Sequence, residues 1–327
     1  MRASAASGVE LREAYREFCL RHPDIPLFGQ SWWLDAVSPD TWAATVSERR
    51  GMSASLPYLI RRRYGLAFSA QPPLTQSLGP WYGASDPRTK GANLASASRD
   101  AARALIADLP KFHYFRQNWD PSQTDWLPFY WAGFTATSRF TYRLDTTVPL
   151  EAIWAEFRGN VRTAIRKAEA GPNALTVHEA SNPECLITMN RAGLARRGAR
   201  VPYADETVRR VFSAALERGQ GRLLEARDSS GTPHGAVLLV WDDKVTYYLM
   251  AATTDEGRAR GANVQLVWVA IQLASSVSPI FDFEGSMIES IERFVRSFGP
   301  KQVPYLALTK TANRSLAAAH ALAVNGR

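Results

Sequence analysis

Two carboxylates stand two residues apart in the segment PIFDFEGSMIESIERFVRSFG, residues 279–299. The stretch IFDF alternates apolar and acidic side chains, so a strand there sets Asp282 and Glu284 on the same side. Either carboxylate can take a proton from an attacking amine, directly or through water, or can be a structural acid bonded to backbone or arginine. Gly285 lets the chain turn. Ser286, with Glu289 three residues on, reads as a capping box that opens a helix. Ile288, Ile291, Phe294, Val295 and Phe298 keep helical spacing until Gly299-Pro300. An oxyanion formed nearby can be met by backbone N–H groups of a splayed strand near 249–252, or by Arg296 on the helix. Arg296 also fits a plain ion-paired surface position.

Cations form two further groups. EGRARGAN, 256–263, places Arg258, Arg260 and Gly261 directly before a helix N-terminus, a natural place for phosphate. Arg158, Arg162 and Arg166 recur every four residues, with Lys167 beside the last. They suit a polyanion, or simply form a solvated helix face. The chain has 39 Lys and Arg against 31 Asp and Glu, a net charge of +8. That balance suits tRNA, a nucleotide or coenzyme A as partner, and equally a mildly basic protein with no such partner.

The elements that must position these residues follow from periodicity. Helices are expected at 9–21, 96–109, 150–170, 183–196, 205–218 and 263–276. Strands are expected around Arg50-Gly51 within 42–64, and at 113–119, 135–144, 174–180, 222–228, 233–241, 244–252 and 303–310. Residues 71–83 and 125–134, rich in Pro, Gly and aromatics, read as ordered loops. A length of 327 residues suits two domains, and Asp145-Thr146-Thr147 starts a new unit, giving 1–148 and 149–327. There is no GxGxxG and no P-loop, which weighs against a nucleotide-binding doubly wound sheet. No apolar run approaches 18 residues and the N-terminus lacks an apolar signal core, so no membrane span is expected. Two cysteines far apart, and five histidines without ligand spacing, predict no metal site and a reducing, cytoplasmic setting.

The order of the second half is helix, strand, two helices, three strands, helix, strand, helix, strand. In this order, together with FDFEGSMIESIERFVRSFG, the helix WxxFxxNxRxxIRKA (154–168), LGPWYG (78–83) and FGQSWW (28–33), the chain resembles the FemAB-like branch of the GNAT superfamily. The resemblance implies an α/β fold with mixed sheets in two tandem GNAT-like domains. It implies an acyltransferase that passes an aminoacyl group from aminoacyl-tRNA to an amine. The acceptor would be a peptide-like, nucleotide-linked, cell-wall or natural-product precursor, and no permanently bound cofactor is implied. Related proteins use acyl-CoA to acylate a sugar or amino acid, and a non-catalytic GNAT pair is a third outcome. By position, Arg197, Tyr203 and one of Tyr247 and Tyr248 would bind the acceptor, with Trp33, Trp81 and Tyr82 walling the pocket. Arg258, Arg260, Gly261, Arg162, Arg166 and Lys167 would hold the donor. Where the ligases commonly place a lysine in the F-x-x-x-F-G helix, this chain has Val295, and the helical hairpin arm of several cell-wall ligases is missing. The resemblance leaves oligomeric state open, a monomer included.

Overall fold

Residues 236–241 are buried one after another, the mark of a strand covered on both faces. Val237, Leu239 and Trp241 enter one continuous core, so Leu238 and Val240 face the opposite layer by alternation. This strand sits at the centre of the second of two compact units in the computed structural model. The structure describes residues 8–49, 51–84, 91–171, 173–285 and 287–312. One unit takes residues up to 139 together with those from 304, and the other takes 140–303. The division differs from a single cut at 148/149 because two long strands, β7 and β13 below, each carry the chain from one unit into the other.

The first unit contains α1 (Gly8–Arg21), α2 (Ser31–Val37), β1 (Trp42–Arg49), β2 (Met52–Leu59), β3 (Arg61–Arg63), β4 (Leu66–Ser69), β5 (Trp81–Ala84), α3 (Gly91–Asp108), β6 (Tyr114–Asn118) and α4 (Leu127–Trp131). β1, β2 and β5 form an antiparallel sheet, with α3 packed on β1 and β2. β5 falls where a loop was expected. Its ladder with β2 places the Trp81 ring over Gly83, where a Cβ would come within 2.4 Å of it. Likewise α4 lies in the second aromatic stretch, its Phe129 fully buried.

The second unit continues with β7 (Thr135–Asp145), α5 (Leu150–Glu156), α6 (Gly159–Glu169), β8 (Thr176–Glu179), α7 (Glu184–Arg196), α8 (Asp205–Glu217), β9 (Gly221–Arg227), β10 (Pro233–Trp241), β11 (Val245–Thr253), α9 (Asp255–Ala259), α10 (Ala262–Ala274), β12 (Ile280–Asp282), α11 (Glu289–Arg296) and β13 (Lys301–Thr311). Its strands lie in the order β7-β12-β11-β10-β9-β8. All neighbours are antiparallel except β11 and β12, which run parallel. α10 and α6 pack together, while α7 packs on β10 and β11, and α8 on β9.

Two local departures from the periodicity matter. The helix expected over 150–170 breaks at Phe157, which is extended at φ −66° and ψ 141°. The Phe157 ring is held edge-on between Trp268, 5.5 Å away, and Phe298, 5.2 Å away. Tertiary packing therefore overrides helix propensity there. The last helix begins at Glu289 with Ile288 as its N-cap. The Ser286 half of the expected capping box lies outside the described residues.

Strands β11 and β12 pair only from Val245↔Ile280 to Tyr247↔Asp282, after which β12 ends and β11 runs on to Thr253. The chain leaves β12 through Glu284 at φ 59° and Gly285 at φ 40°. A Cβ on Gly285 would lie 2.3 Å from the Phe140 carbonyl oxygen and 2.5 Å from Thr141 Cα. Both obstacles are backbone, so nothing can rotate away. Gly285→Ala is expected to lose at least about 1–3 kcal/mol of stability, read as a lower urea midpoint at unchanged slope.

Candidate active site

The two acids part company at the end of β12. Asp282 is 1% exposed and every contact it makes is with a donor. Its Oδ1 accepts from Thr141 Oγ1 at 2.5 Å and from the Glu284 N–H at 2.8 Å. Its Oδ2 accepts from Arg143 Nε at 2.7 Å. The bond to a backbone N–H two residues on is an Asx-type turn, which ends the strand and fixes the next residues. Of the two roles open to it, Asp282 therefore takes the structural one.

Glu284 does not stay on the Asp282 side as strand alternation would require, because its positive φ turns it away. It lines a chamber of about 380 Å³ that opens where β11 and β12 separate. Ala236, Leu249, Leu266, Phe283, Phe294 and Val295 form most of the wall. Glu284 Oε1 is buried and has no hydrogen-bond partner. Burial, and then the charge of Asp282, hold the Glu284 carboxyl well above the usual range. A carboxyl with a raised pKa in an apolar cleft is the signature of an acid–base residue.

A second cavity of about 570 Å³ carries Arg196, Arg197 and Arg258. It shares Ala251, Ala252, Thr253, Asn263, Ile291 and Phe294 with the chamber, so the two are continuous. Arg196 lies 3.6 Å and Arg258 3.3 Å from the same carboxylate, Asp255. Arg197 donates to the Gly193 carbonyl at 3.2 Å. Two guanidiniums thus share one acid and the third bonds a backbone carbonyl, so the mouth is net positive. The edge of β11 beyond Tyr247, unpaired with β12, faces the same space. A register shift against β10 between Leu238 and Leu239 sits beside it.

The remaining expected residues are placed as follows. Tyr248 is half-buried and lines the chamber, whereas Tyr247 is buried. Tyr203 donates to Met250 Sδ at 3.8 Å, and burial, then the charges of Asp205 and Glu284, raise its pKa. Arg296 points elsewhere: its Nε lies 2.9 Å from Glu292 and its side chain is half exposed. Val295 reaches the chamber instead, with Ile291 and Phe294 of the same helix. Arg260 is committed to Asp228, Glu256 and the Asn173 carbonyl. Gly261, at φ 85°, caps α10 against Ala164.

Two members of the arginine stripe, Arg162 and Arg166, are engaged within the unit. Arg158 is the N-cap of α6 and bonds the Ser297 carbonyl through its backbone. Arg162 donates to the Ala155 and Phe157 carbonyls at the end of α5. Arg166 stacks 5.7 Å over Trp154, and Lys167 is exposed. In the first unit, Trp33 is buried with Nε1 bonded to Thr75 at 3.0 Å, and Trp81 is core against Phe18 and His22. Tyr82 lines a separate cavity of about 400 Å³, whose Arg99 and Asp125 pair at 2.8 Å. Arg196, Asn263 and Phe294 were not singled out from the sequence. Arg196 is hidden by its neighbour Arg197, and Phe294 by an apolar spacing that reads equally as core.

Burial, and then the charge of Glu225, push the Cys185 thiol up to about 11, which lowers its thiolate fraction at neutral pH. Among the described residues no group of three His, Cys, Asp or Glu converges as a metal site, and no helix is long and apolar enough to cross a membrane.

Residues 155–283 match the family described as Acetyltransferase (GNAT) domain. The chain is similar in fold to FemX, at a TM-score of 0.63 and 14% identity, covering 94% of this chain and 96% of that one. It is similar to the C-terminal domain of a putative lysylphosphatidylglycerol synthetase from Agrobacterium fabrum, at a TM-score of 0.56 and 14% identity over 97% and 96% of the two chains. It is also similar to L-PGS from Bacillus licheniformis, at 0.55 and 10% over 97% and 95%. No curated protein sequence matches the chain. The second unit is accordingly a GNAT acyltransferase domain. Beyond that domain, the likeness to FemX is a likeness of fold.

The two acids predict opposite behaviour on substitution. Asp282→Asn removes the partner of a buried guanidinium contact and is expected to cost on the order of 3 kcal/mol, measured by urea denaturation. Glu284 has a folded pKa above its unfolded value. Its contribution to stability is therefore full below the unfolded pKa and lost as pH rises through the raised value. Glu284→Gln should gain melting temperature relative to the parent as pH rises through that range.

Proposed function

We propose that the protein transfers an aminoacyl group from aminoacyl-tRNA to the amine of a peptide-like or nucleotide-linked precursor, forming an amide bond. The observation that carries this reading is the orphaned, raised-pKa carboxyl of Glu284 in an apolar chamber that opens into an arginine-lined mouth. The family resemblance in 154–168 and 279–299 supplies the substrate class.

The aminoacyl ester is already activated, so no covalent enzyme intermediate is needed. The amine nitrogen attacks the ester carbonyl. Its lone pair forms the new C–N bond while the carbonyl electrons move onto oxygen. Glu284, ionised, takes the proton that the nitrogen must lose. The oxyanion is met by N–H groups on the open edge of β11. Collapse breaks the C–O bond, and the proton on Glu284 goes to the departing ribose oxygen. Arg196, Arg197 and Arg258 hold the phosphates of the carrier. Arg162 and Arg166, expected as donor ligands, also join α5 to α6.

A second reading is acyl-CoA-dependent acylation of a sugar or amino acid. It is favoured by Arg258 standing just before the N-terminus of α10, where a pyrophosphate can bind. The two separate in one assay. With labelled aminoacyl-tRNA and a panel of amines, amide product should form and should vanish when the tRNA is first digested with RNase. Product that survives RNase, or thiol release from acyl-CoA, contradicts the tRNA reading.

Two kinetic outcomes are expected. Glu284→Gln should lower kcat by about 10²–10⁴ with little change in KM. In the parent, kcat/KM should rise with pH through a value above the ordinary carboxylate range, and this limb should be absent from the variant. Full turnover by Glu284→Gln would remove Glu284 as the base, and absence of turnover in the parent would instead favour a binding protein.

A further inference from the structure

We infer that the acyl group transferred carries a branched or aromatic apolar side chain, of leucyl or phenylalanyl type, seated in the chamber beside Glu284. The inference rests on the acyl-transfer reading above and specifies its substrate. The chamber has one charge-bearing group, Glu284, and otherwise presents aliphatic and aromatic surface from four elements and the turn after β12. Val295 supplies an isopropyl group where the ligases of the family commonly carry a lysine. Ala236 and Leu266, at most 1% exposed, close the inner end.

Besides Glu284 and the phenol of Tyr248, the polar side chains of the chamber, Thr253 and Asn263, stand at the junction with the arginine mouth, where they line both cavities. The α-amino group and the ester fit that junction, with the carrier phosphates beyond it at Arg196, Arg197 and Arg258. The side chain then projects inward. Three classes fail there for different reasons. A glycyl, alanyl or seryl group leaves most of a cavity of about 380 Å³ unfilled. A lysyl or arginyl group would pair with Glu284 and remove the proton acceptor. A glutamyl or aspartyl group would bring a second negative charge into an apolar space that offers it no cation.

The test is the full chain with a panel of tRNAs charged with leucine, isoleucine, phenylalanine, alanine, glycine, lysine and glutamate. It is run in parallel with isovaleryl-, phenylacetyl- and acetyl-CoA. The expected result is that leucyl, isoleucyl or phenylalanyl donors exceed alanyl and glycyl donors by at least about tenfold in kcat/KM, the range that one or two methylene-sized differences give in an apolar pocket. Lysyl and glutamyl donors should be the poorest. A preference for alanyl, glycyl, lysyl or glutamyl donors overturns the inference and leaves aminoacyl transfer standing. If only the CoA thioesters are used, the tRNA reading falls, and the inference holds or fails on whether isovaleryl and phenylacetyl exceed acetyl by the same margin. Turnover of neither class overturns both.

Discussion

The carboxylate of Asp282 is almost fully withdrawn from water and accepts from a hydroxyl, a guanidinium and a backbone N–H. Thr141 and Arg143 lie on β7, and the third donor belongs to Glu284. One side chain thereby ties two strands together and sets the course of the chain as it leaves the sheet. A buried charge requires such partners, and here they also decide where β12 stops. Because it stops at Asp282, β11 continues alone. The gap between the two strands becomes the chamber, and the backbone that leaves it must pass through two positive-φ residues.

The neighbouring acid inherits its properties from that arrangement. Glu284 has no donor for Oε1, sits among apolar walls and feels the Asp282 charge. All three raise its pKa, which makes the ionised form a stronger proton acceptor than an ordinary carboxylate. The aromatic ladder behind it keeps the geometry fixed. Phe281 meets Phe283 at 4.9 Å, Phe283 meets Phe298 at 5.8 Å, and Phe298 meets Phe157 at 5.2 Å. Phe157 is also where the long helix breaks. The rings that hold the turn after β12 are thus those that redirect α5 into α6.

Much of this was legible in the sequence. The alternation in IFDF, the glycine after it and the helix ended by Gly299 gave the segment its strand–turn–helix form, and the order of elements gave the fold. Strand alternation separated Tyr247 from Tyr248 once the register was known. What pattern could not supply was the sharing of groups across distant elements. Arg158, Arg162 and Arg166 keep a four-residue spacing, yet the guanidinium of Arg162 bonds a helix end and that of Arg166 stacks on a ring. Arg260 likewise answers to Asp228 on the β9–β10 turn. Period two would also have kept Glu284 beside Asp282, and only the positive φ, forced by an Asx turn, separates them. Trp33 and Trp81 read equally as pocket or core, and close packing against their neighbours makes them core.

The central claim is that Glu284 is a neutral carboxyl at the base of an acyl-transfer chamber and becomes the proton acceptor as it ionises. It is tested most directly by titrating that one side chain. Carbon-13 NMR of the protein labelled at the glutamate carboxyl, with Glu284→Gln to assign the resonance, reports its midpoint. The account predicts a midpoint well above the ordinary glutamate value of about 4.3. A Glu284 resonance that titrates at or below that value would contradict it.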